Sequence, residues 1–112
     1  MEEKKLNLGE RIALLGILPK EGNYITLKIV KELQMALSPS EEEFKEFGIK
    51  QNGETVTWNN KGIIEKGIPI GEKATDIIKD ALDKLDKDKK LTVQHMSLYE
   101  KFMKGEWTNA NN

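Results

Sequence analysis

Cysteine is absent from the chain, which removes disulfides, thiolate metal ligands and thiol redox chemistry together. Histidine occurs once, at His95, so no histidine-rich metal site can be assembled. Its neighbours Gln94 and Met96 supply neither a nucleophile nor an orienting carboxylate, and a surface or capping role is expected. No apolar run approaches the roughly 20 residues needed to cross a bilayer. Met1-Glu2-Glu3-Lys4-Lys5 has no apolar segment behind it that would make a signal peptide. The expectation is a cytoplasmic protein without a membrane partner.

An excess of charge of either sign is also missing, since the formal net charge is −1. Residues 1–37 hold six Lys/Arg against five Asp/Glu, residues 38–58 two against five, and residues 59–112 ten against nine. Phosphate neutralisation supplies much of the affinity of nucleic-acid binders, and no block is basic enough to make that the default reading. The glycines Gly53, Gly62, Gly67 and Gly71 fit neither phosphate-loop pattern, and turn chemistry accounts for them.

What remains is enough for a fold. The chain has 112 residues, 38% hydrophobic and 33% charged, which suits one globular domain over residues 1–107 followed by a polar tail at 108–112. Asn7 and Glu10 form a capping box for a first helix over Leu8–Ile17, with Leu8, Ile12 and Leu15 on one face, and Pro19 ends it. Ile25, Ile29, Leu33, Ala36 and Leu37, widened by Val30, predict a second helix over Tyr24–Leu37. Ser38-Pro39-Ser40-Glu41 reads as the start of a third, with Ser38 as cap and Glu41 closing the box, ending near Phe47-Gly48.

Asn52-Gly53 predicts a two-residue hairpin turn that pairs Gln51 with Glu54, Lys50 with Thr55 and Ile49 with Val56. That register gathers Phe47, Ile49, Val56 and Trp58 on one face. A third strand is expected within Ile63–Ile70, short or at an edge because Pro69 lacks a ladder donor. Ala74, Ile77, Ile78, Ala81, Leu82 and Leu85 mark the strongest helix, Glu72–Lys87, whose stripe is expected to receive the hairpin face. Thr92 caps a last helix with an expected buried stripe of Val93, Met96, Tyr99, Phe102 and Met103. The fold class is therefore α+β: about five helices with a central β-hairpin extended to a three-stranded, mostly antiparallel sheet. Its first half follows the element order of a winged helix.

Candidate sites are few. Asp83, Asp86 and Asp88 lie among Lys84, Lys87, Lys89 and Lys90 and lack the glycine and distal glutamate of a calcium loop, so a solvated helix end is expected. A winged helix would bind DNA through its third helix, yet here Glu41, Glu42, Glu43 and Glu46 face a single Lys45. That acidic face suits a protein partner better. Trp107, an aromatic residue in a polar tail, either ties the last helix down or anchors a partner. The partner-binding candidates are thus Glu42, Glu43, Glu46 and Trp107, with no catalytic, metal or cofactor residue and no cofactor. The function expected is non-enzymatic binding of an unidentified protein partner. A nucleic-acid-binding or transcription accessory role is the alternative, and a homodimer through an apolar strip stays open.

Two stretches carry a resemblance: Leu18-Pro19-Lys20-Glu21-Gly22-Asn23-Tyr24-Ile25-Thr26-Leu27-Lys28-Ile29-Val30, and Gly71-Glu72-Lys73-Ala74-Thr75-Asp76-Ile77-Ile78 followed by Ser97-Leu98-Tyr99-Glu100-Lys101-Phe102. They resemble small uncharacterised proteins of Gram-positive bacteria that occur among phage and prophage genes. The resemblance implies a phage context and carries over no activity, cofactor or residue role.

Overall fold

The computed structural model describes residues 3–53 and 55–104; Trp107 and the polar tail, both singled out above, lie outside the described residues. The architecture is α+β, with five helices and two small antiparallel sheets among the described residues. Strand β1 (Glu3–Leu6) leads into helix α1 (Leu8–Ile17), α2 (Tyr24–Leu37) and α3 (Glu41–Phe47). The hairpin β2 (Lys50–Asn52) and β3 (Thr55–Thr57) follows, then a 3₁₀ turn at Asn60–Ile63 and strand β4 (Lys66–Pro69). Helix α4 (Glu72–Lys87) and helix α5 (Val93–Tyr99), which runs on as a π turn over Glu100–Lys104, are the last of the described elements. No helix among the described residues is long and apolar enough to cross a membrane.

Capping explains where the first helices start. The Asn7 side chain accepts from the Glu10 N–H at 2.8 Å while Glu10 accepts from the Asn7 N–H at 2.9 Å, closing the box expected for α1. The Asn23 side chain caps α2 by accepting from the Thr26 N–H at 2.8 Å, without a reciprocal bond. The start of α3 differs from the sequence reading by two residues. Ser38 instead finishes α2, its N–H and its Oγ both donating to the Gln34 carbonyl, and Ser40 with Glu43 forms the box. Gly48 ends α3 at φ 59°, a left-handed position that glycine occupies without strain.

The core lies where α2 and α4 face each other. Val30, Leu33 and Leu37 meet Ala74, Ile78 and Leu82, and Leu14, Leu98 and Phe102 close the ends. The stripe of α4 is as expected, but other faces are rotated. On α1 the buried positions are Leu8, Glu10, Arg11 and Leu14, while Ile12 and Leu15 are half-buried. Ile25 is exposed because α2 rests on the core through its middle and end. On α5 Val93 and Met96 are exposed, and Leu98 takes the buried place in the cluster that holds Leu14 of α1.

The strands depart furthest from expectation. The third strand does not join the hairpin: β4 pairs antiparallel with β1, Lys4 opposite Ile68 and Leu6 opposite Lys66. Leu6 and Ile68 bury the inner side of that ribbon, and the Lys4 ammonium lies 5.6 Å above the Phe102 ring. Pro69, at the strand's last position, leaves no missing donor inside the ladder.

The hairpin register is shifted by two residues, with Lys50 opposite Thr57, Gln51 opposite Val56 and Asn52 opposite Thr55. Gly53, rather than Asn52, opens the turn, at φ 64°. An even shift preserves the faces, so Val56 and Trp58 still share one side. That side, however, covers α1 and the 3₁₀ turn instead of α4. Asn59 fixes the placement: its N–H donates to the Phe47 carbonyl at 2.8 Å and its amide to the Glu46 carbonyl at 2.9 Å. The hairpin exit is thereby tied to the end of α3.

Candidate interaction surface

The polar groups that reach the interior are spent on holding elements together. Arg11 is 2% exposed, set by the spacing of Leu8, Arg11 and Leu14 on one face of α1. Its Nε donates to the Leu37 carbonyl at 3.0 Å and one terminal nitrogen to the Ser38 carbonyl at 3.2 Å, satisfying the open end of α2. Both terminal nitrogens reach Glu43, at 2.9 and 3.1 Å. The Arg11 hydrogen bond outweighs burial and, with the Ser40 N–H, lowers the Glu43 carboxyl to a pKa of about 2.

A second cluster ties the two ends of the described chain. Lys101 Nζ donates to Glu10 at 2.7 Å, to Glu65 at 2.8 Å and to the Lys5 carbonyl at 2.8 Å. Burial alone would lower the Lys101 pKa, but the Glu10 and Glu65 carboxylates reverse the sign and raise it. The ammonium form is held, which is the opposite of what a nucleophilic lysine requires.

The sequence candidates separate accordingly. Glu43 is engaged with Arg11, whereas Glu42 and Glu46 stay exposed on the outer side of α3. Trp107 lies outside the described residues. His95 closes the α5 cap, its Nδ1 accepting from the Thr92 N–H at 3.1 Å. Asp83 pairs with Lys87 at 3.1 Å on the solvent side of α4. Among the described residues no three His, Cys, Asp or Glu side chains are grouped as a metal-holding set.

One concave feature is built around Trp58. Its indole lies over two glycines: a Cβ at Gly62 would collide with the ring, and one at Gly9 would stand 3.3 Å from Cζ2. The aromatic is thus fixed by backbone on one side, yet 37% of it remains exposed. It forms one wall of a groove of about 540 Å³, with Gly9, Ile12 and Ala13 of α1 as floor, Val56 beside it, and Val93 and Ser97 of α5 opposite. Pockets that hold compact ligands or peptide side chains have volumes of roughly 300–1,000 Å³. Asn7 and Glu10 at the groove's end are already bonded to each other, and Glu10 also to Lys101.

A groove of about 580 Å³ also lies between Ile17 and Pro19, Thr26, and the Ile77–Leu85 side of α4, rimmed by Asp80, Lys84, Asp88 and Lys90. It has no mounted aromatic, and its rim mixes both signs.

Three of these features escape sequence reading to different degrees. Arg11 could have been found, since it is the lone charge at helical spacing between buried leucines. Lys101 could not, because its partners lie 36 to 96 residues away. Trp58 reads from the sequence as part of a buried hairpin face, and in the structure it is 37% exposed.

The chain matches no protein-family model, no curated protein and no solved structure. The class it falls into is therefore the architectural one, a small α+β protein, and the site must be read from its own geometry.

Proposed function

We propose that this chain is a non-enzymatic protein-interaction module that acts in the cytoplasm in a phage context and holds a protein partner through the Trp58 groove. The observation that carries the reading is the mounting of Trp58. A large, rigid aromatic backed on one side by Gly9 and Gly62 has little room to change rotamer there, so covering its exposed side costs less further entropy than ordering a free side chain would. Trp residues in such settings dominate interface energetics. The phage setting rests on the sequence resemblance alone.

The nucleic-acid alternative draws on the order of elements, three helices before a hairpin. The exposed Glu41, Glu42 and Glu46 on the outer side of α3 would repel a phosphate-lined groove.

The test is affinity capture from a lysate of phage-infected Gram-positive cells, with wild-type chain and Trp58→Ala in parallel. A stoichiometric protein retained by the first and lost with the second supports the reading. Equal retention by both contradicts it. Salt-dependent retention of duplex DNA in a gel shift would put the alternative in its place.

A further inference from the structure

Among the described residues, none covers the outer face of α2. Val30, Leu33 and Leu37 turn into the core, so positions 24, 28, 31 and 35 run along the opposite side of the helix. They are Tyr24, Lys28, Lys31 and Met35: an aromatic and a thioether at the ends, with two ammonium groups between them. Tyr24 is 75% exposed and Met35 73%. With Leu27 and Glu32 beside them, these residues line a shallow hollow of about 430 Å³.

This face is a poor match for itself. A two-fold antiparallel docking that sets Tyr24 against Met35 of the other copy also sets Lys28 against its Lys31, and like charges in register oppose association. The outer side of α3 has the complementary pattern. Glu43 and Phe47 turn inward, which leaves Phe44 47% exposed. Glu41 stands one turn before Phe44 on the same side, with Glu42, Lys45 and Glu46 around them.

We infer that the α2 face receives the α3 face of a second copy of this chain. The Phe44 ring fills the hollow between Tyr24, Leu27 and Met35. Glu41 and Glu42 then meet Lys28 and Lys31, and Glu32 meets Lys45. Because every chain carries both halves, a reciprocal exchange closes a dimer, and a one-way repeat gives a ring or filament. The surface does not involve Trp58, so it stands or falls separately from the groove.

Sedimentation or light-scattering mass of the full chain, followed from micromolar to about 1 mM, tests the inference. The wild type is expected to exceed the monomer mass as concentration rises. Lys28→Glu with Lys31→Glu, and separately Glu41→Lys with Glu42→Lys, are expected to weaken association by about tenfold or more. An equimolar mixture of the two variants should restore it, because each then supplies the charge the other needs. Unchanged circular dichroism confirms that these surface variants fold, and Phe44→Ser should weaken association in the same way. A wild-type chain that stays monomeric throughout overturns the inference, as does association that survives the charge changes or fails to return on mixing. Lysine-dependent binding to phosphatidylserine vesicles without self-association would assign the face to lipid headgroups and also overturn it.

Discussion

Arg11 and Glu43, 32 residues apart, form a two-point ion pair at 2.9 and 3.1 Å, and the same guanidinium donates to the carbonyls of Leu37 and Ser38 at the end of α2. One side chain thus joins α1, the end of α2 and the start of α3. Its planar fork is what allows four bonds at once, a geometry lysine cannot reproduce.

Arg11→Ala is accordingly expected to cost about 3–5 kcal/mol, because it takes the guanidinium from the Glu43 carboxylate and from the Leu37 and Ser38 carbonyls, leaving Glu43 only the Ser40 N–H and Lys66. Arg11→Lys should recover only part of that loss. Urea denaturation, compared through the midpoint at constant slope, measures both.

The same pair sets an acid limit. The Glu43 carboxyl falls from its ordinary 4.5 to about 2, chiefly through the Arg11 hydrogen bond. As pH drops the unfolded chain takes up the proton first, so this stabilisation is complete above about pH 4.5 and is lost as pH falls towards 2. A denaturation midpoint followed across that window should decline in the wild type. Glu43→Gln, less stable at neutral pH, should show a flatter decline.

Gly62→Ala is expected to displace the Trp58 indole, since the added methyl occupies the ring's place. Overpacking of this kind costs roughly 1–3 kcal/mol. Trp107→Phe leaves Trp58 as the sole indole of the chain, and in that background the Gly62→Ala emission should move to longer wavelength. An unshifted spectrum would mean that the glycine cradle does not hold the ring.

Ile78 is fully buried in the middle of α4, whereas Val93 is 83% exposed at the start of α5. Ile78→Ala should cost about 2–5 kcal/mol, and Val93→Ala should stay within about 0.5 kcal/mol. Thermal or urea melts of the two variants distinguish the observed packing from the stripe expected on α5.

The helices were legible because each carries its own local signals. Asn7 with Glu10 opened α1, and Ala74, Ile78 and Leu82 kept a helical period through α4. Strand pairing depends on distant residues, and there the reading ran out. Glu3-Lys4-Lys5-Leu6 has a single large apolar residue and no strand pattern, yet it recruits β4 away from the hairpin. Trp58 was readable as a half of an apolar hairpin face, but which body that face covers is decided by Asn59 holding α3, a contact between residues 13 apart. The groove beside Trp58 is hidden from the sequence for the same reason, since α1, β3 and α5 meet there only after folding.

The most direct measurement is acrylamide quenching of Trp58 in the Trp107→Phe chain, with and without the protein captured from infected cells. If the groove is the binding surface, the exposed side of the indole is covered, quenching falls and emission shifts to shorter wavelength. Quenching and emission that stay unchanged at saturating partner would contradict the proposed role of Trp58.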